Sequence, residues 1–113
     1  MLIHCSLFKL KPQTPPGVKD RIVAEFRELG PKIPYIRKIT VGTNTSDFSV
    51  IRRIAASKGV SHVQEGYDLA VIIHLDSVED YYAYCADESH WELVRQYLLP
   101  NQAERASIQI TSD

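Results

Sequence analysis

"YDLAVIIHL", residues 67–75, decides the fold. It is β-branched and apolar at both parities, with Leu69, Val71, Ile73 and Leu75 on one side and Ala70 and Ile72 on the other. A strand with one wet face would alternate apolar with polar residues. This one therefore reads as an inner strand of a sheet covered on both faces. His74 has the opposite parity to Leu69, Val71 and Ile73. It is expected on the helix side or at the strand end, as a structural residue.

Downstream, Ser77 and Asp80 have the spacing of an N-terminal helix cap, the serine oxygen accepting from an amide three residues on. The helix through "VEDYYAYCA" places Val78, Tyr81 and Cys85 on one face, with Tyr84 beside Tyr81. Most of this aromatic surface is read as packing, and Cys85 as a buried, inert thiol rather than a nucleophile paired with His90. "WELVRQYLL" continues as a helix, with Trp91, Val94 and Leu98 at helical spacing and a stop at Pro100. "ASIQIT" closes the chain as a short strand with Ile108 and Ile110 on one side.

Upstream, "LIHCSLFKL" (2–10) is a strand with Leu2, His4, Ser6, Phe8 and Leu10 on one face and Ile3, Cys5 and Leu7 on the other. Thr14 followed by Pro15 predicts a helix start. Val18, Ile22, Phe26 and Leu29 mark an amphipathic helix that Gly30-Pro31 should end. "PYIRKITVGTN" is the second strand. Residues 43–64 form an inserted connection, in which "SVIRRIAASKG" predicts a short surface helix. His62 is expected in solvent, and Arg52, Arg53 and Lys58 on an exposed polar face.

The order strand, helix, strand, strand, helix, strand is that of an α+β, ferredoxin-like βαββαβ subunit, two helices packing on one face of a four-stranded antiparallel sheet. Because strand 67–75 is apolar on both sides, the other sheet face is expected to meet a second copy. The 113 residues fit one domain (1–113), only marginally stable as a monomer. Net charge is −1, from 13 basic and 14 acidic residues, which gives no footprint for nucleic acid or an anionic membrane. No apolar run approaches the roughly 20 residues of a membrane span. Cys5 and Cys85 lie far apart and no export signal is evident, so reduced thiols and a cytoplasmic location are expected.

"IHCSLFKLK", "IPYIRKITVG" and "EGYDLAVIIHLDSVEDYYAYCADESH" together resemble the stress-responsive dimeric α/β-barrel domain family, whose members include a plant polyketide cyclase. The resemblance implies a homodimer whose two sheets form a barrel, with a ligand pocket between sheet and helices in each subunit. Carried over by position, the cyclase's catalytic histidine and tyrosine fall on His90 and Tyr84, and its pocket histidine on His4. Two pocket positions depart from that pattern, a histidine replaced by Leu69 and a tyrosine by Phe26. The implied activity is cofactor-free, metal-free acid–base chemistry on a carbonyl-rich small molecule, with His90 as base, Tyr84 on the substrate carbonyl and His4 as orienting group. Phe8, Phe26, Leu69, Val71 and Trp91 are the expected substrate-binding residues. The alternatives are a non-catalytic stress-response dimer or binding protein, and a cofactor-free monooxygenase. His4, His62, His74 and His90 lack the short spacings of a zinc site.

Overall fold

The computed structural model describes residues 1–112. Four strands, β1 (Leu2–Leu10), β2 (Lys38–Thr43), β3 (Leu69–Leu75) and β4 (Gln102–Thr111), form one sheet in the order β2-β3-β1-β4. Every neighbouring pair is antiparallel. The chain has the ferredoxin-like α+β fold, and β3 lies inside the sheet as its two apolar faces require. Leu69, Val71, Ile73 and Leu75 are all buried against the helical layer. His74 therefore points to the opposite, outer face, where it pairs with Ile3 and Lys38 and its Nδ1 lies 3.4 Å from Met1 Sδ. Of the two positions expected for it, the strand end is the one observed, one residue before Leu75, and the helix side is not.

β1 keeps the parity read from its sequence, with Leu2, His4, Ser6, Phe8 and Leu10 buried under the helices. Helix α1 spans Val18–Lys32 and buries Ile22, Val23, Phe26 and Leu29. It begins later than Thr14-Pro15 suggested. Pro16 disfavours helical geometry at Pro15, and Gly17, at φ 87°, turns the chain in the left-handed region open to glycine. The hydroxyl of Thr14 is left buried without a partner. The helix also runs through Pro31, because a proline this close to the end sacrifices only its own amide bond while Ile33 N–H still donates to the Leu29 carbonyl at 2.9 Å.

Between β2 and β3 the connection carries the surface helix α2 (Phe48–Ser57), capped by Asp47 and burying no residue. Arg52 lies over the Phe48 ring, and Arg52, Arg53, Lys58 and His62 are exposed. Helix α3 (Val78–Ala86) starts at Ser77, whose oxygen accepts from Asp80 N–H at 3.2 Å. Its fully buried residue is Tyr84, with Tyr81 and Cys85 partly buried against the core beside it, while Val78, expected on the same face, is 40% exposed.

After Asp87 the chain starts again as α4 (Glu88–Leu93), passes through a π-helical turn (Val94–Leu98) and ends in a short α5 (Leu99–Asn101) that contains Pro100. In the π turn Leu99 N–H donates to the Val94 carbonyl five residues back, so the buried positions Leu93 and Leu98 are five apart. β4 then begins at Gln102, four residues before the strand predicted from "ASIQIT".

Candidate active site

A cavity of about 260 Å³ lies between the inner face of the sheet and the helices. Its floor is His4, Ser6 and Phe8 from β1, Val71 from β3, and Arg105 from β4. Its roof is Phe26 from α1, Tyr84 from α3, and His90 and Trp91 from α4. The π turn carries Val94 and Leu98, and Leu99 follows it; all three line the same space. An ordinary α-helical turn would swing consecutive residues further around the axis. The widened turn keeps Leu98 and Leu99 both on the cavity, a use in keeping with the frequent placement of π turns at ligand sites.

The sequence-derived candidates His4, Phe8, Phe26, Val71, Tyr84, His90 and Trp91 line this cavity. Leu69 does not. It is the β3 partner of Phe8 and Thr43, two residues or roughly 7 Å along the strand from Val71, and it borders a separate shallow depression with Gly66 and Tyr67. Cys85 is a free, partly buried thiol outside the lining.

The two cavity histidines are in unlike states. His4 is 3% exposed and both its ring nitrogens are engaged. Gln109 Nε2, which can only donate, lies 2.8 Å from Nδ1. Nδ1 therefore accepts, the ring proton sits on Nε2, and Nε2 donates to Ser6 Oγ at 2.9 Å. Burial, then the positive charge of Arg105, then that of His90, lower the pKa of His4 to about 4, so it is neutral at pH 7. It is a fixed wall group with no free lone pair.

His90 sits in the first turn of α4, its backbone N–H donating to the Asp87 carbonyl at 3.1 Å while the Asp87 side chain caps the helix through Ser89. It is thus at the amino end of a new helix, not the carboxyl end of the preceding one. An imidazolium gains nothing from the backbone dipoles there. Burial and Arg105 lower its pKa, outweighing the Cys85 backbone and the Asp87 carboxylate, which act in the opposite direction. Its Nδ1 is shut off from solvent and makes no hydrogen bond. Nε2 is therefore the nitrogen a ligand can reach.

The Tyr84 ring centroid is 4.6 Å from that of His90 and 6.0 Å from that of His4. Burial, then the neighbouring Cys85, push the Tyr84 phenol well above its usual range, so it stays a neutral donor at every ordinary pH. Tyr81 stacks beside it, 4.8 Å from the His4 ring, and is raised to about 12 chiefly by burial. The Trp91 ring meets His90 edge-on at 5.2 Å.

Sequence reasoning missed the contribution of β4. Arg105, Gln102 and Gln109 all act on this site. The signal for Gln109 was present, since it has the opposite parity to Ile108 and Ile110 and must face the helices. Nothing apolar marked Gln102–Arg105 as strand. Among the described residues, no group of three or more His, Cys, Asp or Glu side chains is placed to hold a metal ion. Among the same residues, no helix is long and apolar enough to cross a membrane.

Comparison with known proteins agrees with this architecture. The model of the stress responsive A/B barrel domain matches residues 2–112. A dimeric ferredoxin-like protein of unknown function from Thermobifida fusca YX superposes with a TM-score of 0.76 at 19% identity, over 98% of this chain and 90% of that one. A dimeric protein of unknown function and ferredoxin-like fold from Bacteroides fragilis NCTC 9343 gives 0.70 at 25% identity, over 96% and 93%. The hydroxynitrile lyase of Passiflora edulis gives 0.76 at 15% identity, over 99% and 93%. No curated protein matches the sequence.

Proposed function

The chain belongs to the stress responsive A/B barrel domain family, and from that premise we propose that it is a cofactor-independent enzyme acting on a small carbonyl-rich substrate. The observation that carries the reading is the contrast between two cavity histidines whose pKa values are both lowered: buried His4 has both ring nitrogens hydrogen-bonded, whereas half-buried His90 has a partnerless Nδ1 and an Nε2 free to meet a ligand. A neutral imidazole with a free lone pair is a general base at pH 7. With its proton on Nδ1, His90 takes a proton at Nε2 from the carbon between or beside substrate carbonyls. The electron pair of that C–H bond moves onto the carbonyl oxygen, which becomes an enolate.

Tyr84, held neutral by burial, donates to that oxygen and stabilises the charge as it forms. His4 orients the ligand from the floor, its ring fixed by Gln109 and Ser6. Phe8, Phe26, Val71, Trp91 and Leu98 exclude water, so the enolate attacks or eliminates within the substrate instead of being reprotonated by solvent. Ring closure, isomerisation and elimination all proceed from this intermediate. The Passiflora lyase speaks to the fold alone; the reading rests on the cavity.

The same proposal includes a homodimer. On the outer sheet face Leu7, Ile108 and Ile110 are 38%, 60% and 46% exposed, a contiguous apolar surface of the kind that marks an association site, and the two relatives from T. fusca and B. fragilis are dimeric. A cytoplasmic setting belongs to this reading too, with Cys5 and Cys85 as free thiols.

The test is exchange of the C2 protons of methyl 3-oxohexanoate for deuterium, followed by NMR. Wild type should accelerate exchange over the buffer rate, and His90→Gln, which keeps the size but not the basicity, should return it to that rate. Exchange by His90→Gln at the wild-type rate ends the proposal.

A further inference from the structure

We infer that Arg105 is the anchor for a carboxylate on the substrate, which makes the ligand of this cavity a small keto acid anion rather than a neutral ketone or ester. The inference rests on the enzymatic reading above and narrows its substrate class.

Arg105 enters from the first half of β4, paired across the sheet with Phe8, and its guanidinium lies 5.8 Å from the centre of the Phe8 ring. That ring is itself part of the cavity floor. The residues lining the cavity include no aspartate or glutamate. Among the described residues the ion pairs are Arg21–Glu25, Lys32–Glu28, Arg37–Asp76 and Arg95–Glu88, and Arg105 takes part in none of them. A guanidinium is a planar fork matched to a carboxylate, and Arg105, solvent-exposed on β4 where it borders the cavity, has that fork free to receive one.

The same positive charge opposes protonation of both His4 and His90, and no partner within the cavity compensates for it. An arriving carboxylate supplies that compensation. It also removes the repulsion that weakens His90 as a base, so the base strengthens when, and only when, the anionic substrate is seated. A volume of about 260 Å³ is the share of roughly nine waters, which suits a ligand of about that many non-hydrogen atoms. The apolar end, between Phe26, Trp91 and Leu98, takes the alkyl or aryl part. The carboxylate lies on β4, and the carbon flanked by the two carbonyl groups falls between the ends.

The experiment is calorimetric titration of 3-oxohexanoate and of its methyl ester into wild type, Arg105→Gln, Arg105→Lys and His90→Gln, at fixed ionic strength. Wild type should bind the acid at least tenfold more tightly than the ester. Arg105→Gln should lose that preference while binding the ester as wild type does, and Arg105→Lys should retain part of it. His90→Gln should keep it in full. Equal binding of acid and ester by wild type, binding of neither, or a preference that survives in Arg105→Gln would overturn the inference. C2 exchange measured on the same proteins separates it from the enzymatic reading. Exchange of the ester that depends on His90, without any acid preference, leaves the enzyme and removes the anchor; an Arg105-dependent preference without exchange does the reverse.

Discussion

Acidification should destabilise this protein through His4 before most of its carboxylates are protonated. The ring is 3% exposed, hydrogen-bonded as the neutral form, and carries a folded-state pKa of about 4 against an ordinary 6.5. Because the folded value is the lower one, the unfolded chain binds the extra proton first. The stabilising effect is therefore complete above pH 6.5 and is lost as pH falls toward 4. Between about pH 7.5 and about pH 5, proton linkage for a single group so displaced withdraws roughly 2 kcal/mol. With a urea dependence of roughly 2 kcal/mol per molar for a domain of this size, the unfolding midpoint should drop by roughly 1 M.

The assay is urea unfolding at both pH values and one fixed protein concentration, since a dimer's stability depends on concentration. His4→Gln is the comparison. It should be less stable than wild type at about pH 7.5, having lost a packed ring, yet lose roughly 2 kcal/mol less on acidification. His90 and the carboxylates titrate in both proteins, so their effects cancel in the comparison. Wild-type and His4→Gln stabilities that fall in parallel would refute the reasoning.

The charge of Arg105 depresses both cavity histidines, so Arg105→Gln should raise the pKa of each, read from the ring-proton shifts in an NMR titration; unchanged values would place the guanidinium outside the site. Ile108→Asp puts a charge in the middle of the apolar outer face, where Ile108 is 60% exposed. Sedimentation should show a dimeric wild type and a monomeric, still folded variant, while a monomeric wild type or a variant that stays dimeric would show that this face is not the contact.

The parts of the fold legible in the sequence are those where burial leaves one residue class at each position. β1 and β3 lie inside the sheet, so the apolar parity of each could be read directly, down to His4 sharing a face with Ser6, although His74 on β3 was not assigned to the outer face. Helix α1 was legible on its buried stripe but not at its ends, since Pro15-Pro16-Gly17 and Pro31 are settled by local backbone geometry. The π turn was illegible because it alters the period itself. Trp91, Val94 and Leu98 fit an α-helical stripe on paper, yet Trp91 is 42% exposed while Leu93 and Leu98, five residues apart, are the buried ones. Leu69 was misplaced for another reason: parity fixes the face of a strand but not the distance along it, and the cavity ends before Leu69.

The most consequential omission, the first half of β4, follows from sheet topology. β4 pairs only with β1, so as an edge strand it is not obliged to be apolar on either face. "QAER" carries none of the alternation that identifies a strand. The same freedom is what lets this strand supply the polar side of the cavity. Gln109 sets the tautomer of His4, and Arg105 supplies the positive charge. An inner strand bearing an arginine and two glutamines toward the core would face a desolvation cost that hydrogen bonds could only partly offset. The helical layer contributes the complementary half, with Phe26, Trp91, Val94 and Leu98 forming an apolar roof. The catalysis proposed for Tyr84 and His90 would require both halves at once: an apolar roof whose burial lowers the pKa of His90 and keeps Tyr84 a donor, and a charged edge that would give an anionic ligand a reason to enter a cavity of that kind.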